Sequence, residues 1–338
     1  MDLEFETVPG LEGEECVDSV WDEALVERIN SAAGVWFGGG LPGRAVSCLF
    51  GYSAQQFGIN TPPEKTTPLL EALRNHPLVG GISAGAMMQP SAPLLHGNEI
   101  SYSPGFHESA DIMRIGELMM NNQGAGFIAD SFTIHSHFSE RGYQGMLPIA
   151  VVQRPDLEWA AGFDEGGVGH YFESTGELFT VGVRDRGTGI VLYSDCVGDT
   201  DRQECNLHFV SDGDVWNART HEFSMDGSKQ LCTDSQPIPD GSDCVFNRAL
   251  AENQNFRRIS KLTAAAPVGS IVESYHTGPG SDITVGVTFA VTEATEAWCN
   301  SDGEIVSFTN LGLSQTRSPD VPERRRARCD SGPNFTGF

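Results

Sequence analysis

The sequence predicts an α/β protein built on a mostly parallel sheet. Three observations carry that expectation. Short apolar runs alternate with amphipathic segments between residues 19 and 88, Gly81-Ile-Ser83-Ala-Gly85 stands at a strand-to-helix junction, and a later apolar run ends in His135-Ser-His137.

Taken in order, Ser19 to Asn30 carries Trp21, Leu25 and Ile29 at a period of four, which predicts an amphipathic helix. Val35-Trp-Phe37 reads as a short buried strand running into Gly38-Gly-Gly40 and the turn Leu41-Pro-Gly43, and residues 51–65 read as a loop. Thr67-Pro68 is a helix start, an N-cap followed by proline in the first turn, with Leu69, Leu70 and Leu73 as the apolar face. Leu78 to Ile82 is then a strand and Ala84 to Met88 the first turn of a helix. This alternation predicts parallel strands covered on both faces.

Phe127 to Ile134 reads as a further strand delivering His135-Ser-His137-Phe138 to its end. From Trp159 the pattern becomes hairpin-like. His170-Tyr-Phe172 and Glu177 to Val181 flank the turn Ser174-Thr-Gly176, and Gly189 to Tyr193 follows as a strand. After residue 222 periodicity fades apart from a β-like stretch at 283–291, and the tail from about residue 314 reads as disordered.

Lys and Arg total 21 against 46 Asp and Glu, a net charge of −25 over 338 residues. That field disfavours nucleic acid and anionic membranes as partners. The basic cluster Arg324-Arg-Arg-Ala-Arg328 reads as a solvated segment. No apolar run reaches 18 residues, and the start shows no signal peptide. Of eight cysteines, six follow residue 195 in polar sequence, which points to disulfides and an extracellular or secretory location. Cys196–Cys205 and Cys232–Cys244 are the near-neighbour pairings offered, and Asn334-Phe-Thr336 is a glycosylation triplet. Secretion together with no visible leader predicts that the true start lies upstream of Met1.

The chemistry centres on Ser83. A strand–turn–helix elbow projects a serine Oγ from a sheet end, with the amide of Ala84 and a glycine amide from Gly39 or Gly40 as candidate oxyanion donors. His137 is the candidate base, placed at the carboxyl end of a strand. His135 and His137 have the i, i+2 spacing of a zinc pair, but no third ligand stands nearby, so neither metal nor cofactor is expected. Among Glu99, Glu108 and Asp111, Glu99 is the chosen acid. Asp164-Glu165-Gly-Gly167 reads as a substrate-binding acid or an ordinary turn.

Strand-Gly-Gly-Gly at 35–40, Gly80-Gly-Ile-Ser-Ala-Gly-Ala86, His137-Phe-Ser-Glu-Arg-Gly142 and Gly162-Phe-Asp-Glu165 together resemble the cyanophycinase and dipeptidase E family of serine peptidases over residues 15–222. The resemblance implies a three-layer αβα fold akin to class I glutamine amidotransferases, a Ser83–His137–Glu99 triad and amide hydrolysis near aspartyl residues. It also implies substrate binding by Arg141; Glu165 and His135 are the further candidate substrate-binding residues. The chain departs from the family at Leu41-Pro42, where Asp-Gln is usual, at His135 in place of an aspartate, and at Tyr143 and Met146 in place of arginines. These changes count against the arginine-rich polymer cyanophycin as substrate. The family has more strands before the glycine turn, so they too are expected upstream of Met1.

The expected organisation is therefore a peptidase domain at 15–222 and a Cys-containing extension at 223–338. The expected activity is hydrolysis of an amide bond in a short or isoaspartyl-type peptide, with a small peptide partner and a homodimer as the assembly considered. The alternative is a catalytically impaired relative that binds a ligand in the same cleft. A third reading, an α/β-hydrolase esterase, fits the order Ser…Glu…His, but the spacing from Ser83 to His137 is short for it.

Overall fold

The computed structural model describes residues 16–40, 42–52, 66–91, 94–95, 119–121, 124–128, 131–138, 145–154, 156–182, 189–199, 202–233, 255–277 and 284–318. The chain divides into two compact units, Met1–Leu95 with Met119–Ala129, and His96–Leu118 with Asp130–Phe338.

The first unit contains α1 (Cys16–Ser19), α2 (Glu23–Ser31), β1 (Val35–Phe37), α3 (Pro42–Leu49), α4 (Pro68–Arg74), β2 (Val79–Gly81), α5 (Ala84–Met87), β3 (Leu94–Leu95) and β4 (Met119–Asn121). Helix α2 starts where the Asp22 carboxylate accepts the Ala24 amide at 2.9 Å, and it buries Leu25 and Ile29. Helix α4 starts at Thr67, whose Oγ1 accepts the Leu70 amide at 3.2 Å and donates to the Leu49 carbonyl at 2.5 Å. One side chain thus caps α4 and ties it to α3. Leu69, Leu70 and Leu73 pack with Leu25, Ile29, Val46 and Leu49 in one core; each such burial stabilises by about 2 kcal/mol. Strands β1 and β2 pair in parallel with Trp36 opposite Gly80, and β3 and β4 pair antiparallel.

The second unit holds β5 (Phe132–Ser136), α6 (Met146–Gln153), β6 (Trp159–Phe163), β7 (Val168–Phe172), β8 (Glu177–Val181), β9 (Gly189–Gly198), β10 (Arg202–Ser211), β11 (Val215–Asn217), β12 (Phe223–Ser224), β13 (Gln230–Leu231), α7 (Asn255–Ala264), β14 (Ile271–Thr277), β15 (Thr284–Ala290), β16 (Glu296–Cys299) and β17 (Ile305–Ser318). A nine-stranded sheet runs β13-β16-β17-β10-β9-β6-β5, with β14 and β15 joined to it through β17. A four-stranded sheet runs β12-β11-β8-β7. Trp216 is fully buried, 5.4 Å from the ring of Phe132 and 4.7 Å from that of Trp159.

This architecture overturns the expected three-layer αβα with a mostly parallel sheet. Strand accounts for 40% and helix for 24%, and the sheets are mixed or antiparallel. Among the described residues only β1–β2 and β5–β6 run parallel. The physical reason is connection length. Three residues separate β9 from β10 and four separate β7 from β8, whereas a parallel neighbour needs a crossover of about a dozen residues or more. The alternation in the first 88 residues does not continue.

The hairpin expected at 170–181 is present, with its first strand beginning at Val168. The strand expected at 127–134 is β5, shifted to 132–136, with only a single bridge from Ile128 to Pro90 before it. Strands β13 to β17 share the sheet of β9 and β10, and β17 continues through 314–318; residues 319–338 lie outside the described residues. Cys196 pairs with Cys205 as expected, while Cys232 pairs with Cys299 rather than Cys244. The two disulfides are compatible with an extracellular location, and no helix among the described residues is long and apolar enough to cross a membrane.

Candidate active site

Ser83 stands between β2 and α5 with φ 56° and ψ −120°, a region that a residue with a Cβ enters only under strain of about 1–3 kcal/mol. The surrounding backbone holds it there. The Ile82 amide donates to the Phe37 carbonyl and the Gly85 amide to the Ile82 carbonyl, both at 3.0 Å, while Ala86 and Met87 donate to the Ser83 carbonyl. The turn is so tight that a Cβ on Gly81 would lie 2.3 Å from the Gly85 carbonyl, and one on Gly85 would lie 2.4 Å from the Phe37 oxygen. Both glycines are required by close approach, which is the construction of a nucleophile elbow.

The candidate oxyanion donors lie in the same unit. A Cβ on Gly39 would be 3.7 Å from Ser83 Oγ, so the bare Gly39 backbone borders the hydroxyl, and Gly40 follows at φ 148°. The Ala84 amide makes no backbone hydrogen bond among the described residues. Helix α5 has four residues, so its dipole contributes little and the amides themselves are the relevant donors.

His137 belongs to the second unit and follows β5. Its φ of 53° turns it out of the strand. Phe138, fully buried, lies against β6 at Gly162, where a Cβ would come 2.4 Å from its Cγ. That packing anchors the residue next to the histidine. Strands β5 and β6 are parallel with Ser136 opposite Phe163, so the residues just past each strand end share one edge. Across that edge His137 Nδ1–H donates to Glu165 Oε1 at 2.7 Å. A carboxylate on Nδ1 sets the tautomer in which Nε2 carries the lone pair, as a general base requires.

His137 thus has a carboxylate partner in Glu165, a residue that the sequence offers as a substrate-binding acid or an ordinary turn. The available signal was the run Gly162-Phe-Asp-Glu165, which ends the strand beside the one that ends at His137. Glu99, Glu108, Asp111, Arg141 and Tyr143 lie outside the described residues. His135 is buried in β5 with Nδ1 hydrogen-bonded to the Ser136 carbonyl at 2.8 Å. The turn at His137 breaks the alternation that would have set the two histidines on one face. Among the described residues no group of three His, Cys, Asp or Glu side chains is arranged to hold a metal.

A second serine–histidine pair has the wrong polarity. The Asn310 amide donates to His208 Nδ1 at 3.1 Å, so the ring proton sits on Nε2 and donates to Ser194 Oγ at 3.0 Å, whose own hydroxyl donates to Asp195 Oδ2 at 2.9 Å. Burial lowers the His208 pKa to about 3. This imidazole has no lone pair facing the hydroxyl, so the pair is structural.

The side chains therefore define a serine elbow and a carboxylate-oriented histidine. No model of a protein family and no curated protein matches the chain. Among solved structures, one described as a peptidase from an acI-B1 Actinobacterium is similar over 62% of this chain and 64% of that one, with 16% identity and a TM-score of 0.30. The chain thus spans less than two thirds of that peptidase, and a likeness this slight carries no argument about activity.

Proposed function

We propose that this chain is a serine-type amide hydrolase with cyanophycinase-like machinery, acting on a short or isoaspartyl-type peptide. In this reading Ser83 Oγ is the nucleophile that attacks the substrate carbonyl and His137 is the general base, while Glu165 holds the ring and stabilises the imidazolium. The amides of Ala84 and of Gly39 or Gly40 stabilise the tetrahedral oxyanion; one such donor is typically worth about 100- to 1000-fold in rate. The imidazolium then protonates the departing amine, and water releases the acyl group by the same path.

The observation that carries this reading is the backbone of Ser83, a strained serine held between two glycines that admit no side chain. Strain of this kind persists where the surrounding structure enforces it, and it gathers at reacting groups. The deciding experiment is labelling with a fluorophosphonate probe. The native chain is expected to react and Ser83→Ala to be silent; equal labelling of the two rejects the assignment.

A further inference from the structure

We infer that Arg257 is a positioning residue of this site: by holding the Asp164 carboxylate it fixes the turn that carries Glu165, and through Glu165 the ring of His137. The inference rests on the hydrolase reading of Ser83, His137 and Glu165.

Asp164 to Gly167 form a tight turn. The Gly167 amide donates to the Asp164 carbonyl at 2.9 Å, and Gly166 takes a φ of 90° at the third position, as a type II turn demands. Glu165 occupies the second position, and its side chain is half exposed, so little packing orients it directly. What holds the turn lies on either side of it. The Asp164 amide reaches the Gly189 carbonyl of β9, and the Asp164 carboxylate, fully buried, forms an ion pair and hydrogen bond with the Arg257 guanidinium of α7.

Arg257 is itself 4% exposed, with its guanidinium carbon 5.9 Å from the Phe209 ring centroid. Helix α7 is seated by Phe256, whose ring meets that of Phe289 at 5.4 Å, and by buried Ile259. Lys261 of α7, 4.1 Å from the Phe209 centroid, and the buried Tyr193 phenol of β9 both feel the Asp164 charge, and Lys229 and Glu304 act in turn on Lys261. Arg257 makes the ion pair with Asp164 directly. A carboxylate left buried without its partner is protonated or drawn toward water, and either change moves the turn. The region after residue 222, where the sequence shows no motif, thereby supports the candidate site across a sequence distance of 93 residues.

The test uses the full chain and two readouts, the rate of fluorophosphonate labelling and the low-field proton resonance of His137 Nδ1–H. Arg257→Gln is expected to slow labelling about tenfold or more and to abolish that resonance, Arg257→Lys to restore much of both, and Arg257→Gln added to Glu165→Gln to slow labelling little further than Glu165→Gln alone. Should Arg257→Gln fail to fold, the neutral pair Arg257→Gln with Asp164→Asn is expected to give the same losses. A folded variant with native rate and intact resonance, or losses that simply multiply with those of Glu165→Gln, overturns the inference. If the native chain is never labelled, the hydrolase reading falls and the resonance alone decides this one: its survival in Arg257→Gln overturns the positioning role, and its loss supports it.

Discussion

The Phe138 ring rests on the bare backbone of Gly162, where a methyl group would lie 2.4 Å from Cγ and 2.6 Å from both Cδ atoms. Because Phe138 follows His137 directly, this contact sets where the imidazole begins. Gly162→Ala must push the ring away from β6. Overpacking of this kind costs about 1–3 kcal/mol, so urea unfolding is expected to show that loss, with fluorophosphonate labelling slowed as His137 shifts. Unchanged stability and labelling would mean that the ring has room to move.

Ser83 predicts a gain of stability with a loss of activity. Glycine tolerates a φ of 56° and a ψ of −120°, whereas a Cβ does not. Ser83→Gly is therefore expected to stabilise the first unit by about 1 kcal/mol in urea unfolding while labelling vanishes. Ser83→Ala, which keeps the Cβ, is expected to lose labelling without that gain.

Glu165 and Glu99 make opposite predictions. With a 2.7 Å hydrogen bond to His137 Nδ1, Glu165→Gln is expected to slow labelling by about 100-fold or more, because the amide no longer stabilises the imidazolium. Glu99→Gln is expected to react at nearly the native rate. The reverse result would return the acid to position 99.

The disulfides differ in the length of chain they close, 67 residues for Cys232–Cys299 and 9 for Cys196–Cys205. Loop-closure entropy makes the first worth about 4 kcal/mol and the second about 2.5 kcal/mol. Paired Cys→Ser variants are expected to lower the melting temperature in that order, as read by calorimetry.

His208 links stability to pH. Burial holds its pKa at about 3, below the ordinary 6.5, so below pH 6.5 the unfolded chain takes up a proton that the folded one refuses. The stability present above pH 6.5 is lost progressively as the pH falls toward 3, and its share between pH 7 and pH 5 is about 2 kcal/mol. Urea unfolding at the two pH values measures the slope, and a His208 ring that stays neutral by NMR down to pH 4 confirms its source. A ring that titrates near pH 6.5 would remove the basis of the prediction.

Local features were legible in the chain itself. Thr67 caps its helix, Leu25, Ile29, Leu70 and Leu73 face a core, and the Gly81 to Gly85 run makes a tight elbow, because each depends on neighbours within a few residues; the start of the preceding helix at Asp22 rather than Ser19 was not legible. The hairpin at 170–181 was equally readable from its glycine turn. The antiparallel character of the large sheet was not, because strand direction depends on how each connection returns, and β17 pairs with β10 and with β15 from sequence positions far apart.

What the sequence by itself determined, then, is short-range: a serine on an elbow, a histidine at a strand end, and caps and apolar faces set by spacing. The tertiary structure alone decided that Glu165 meets His137, that Arg257 meets Asp164 and that Cys232 finds Cys299. Such pairings join residues 28 to 93 positions apart, and they follow from strand register and sheet order, which no local spacing encodes.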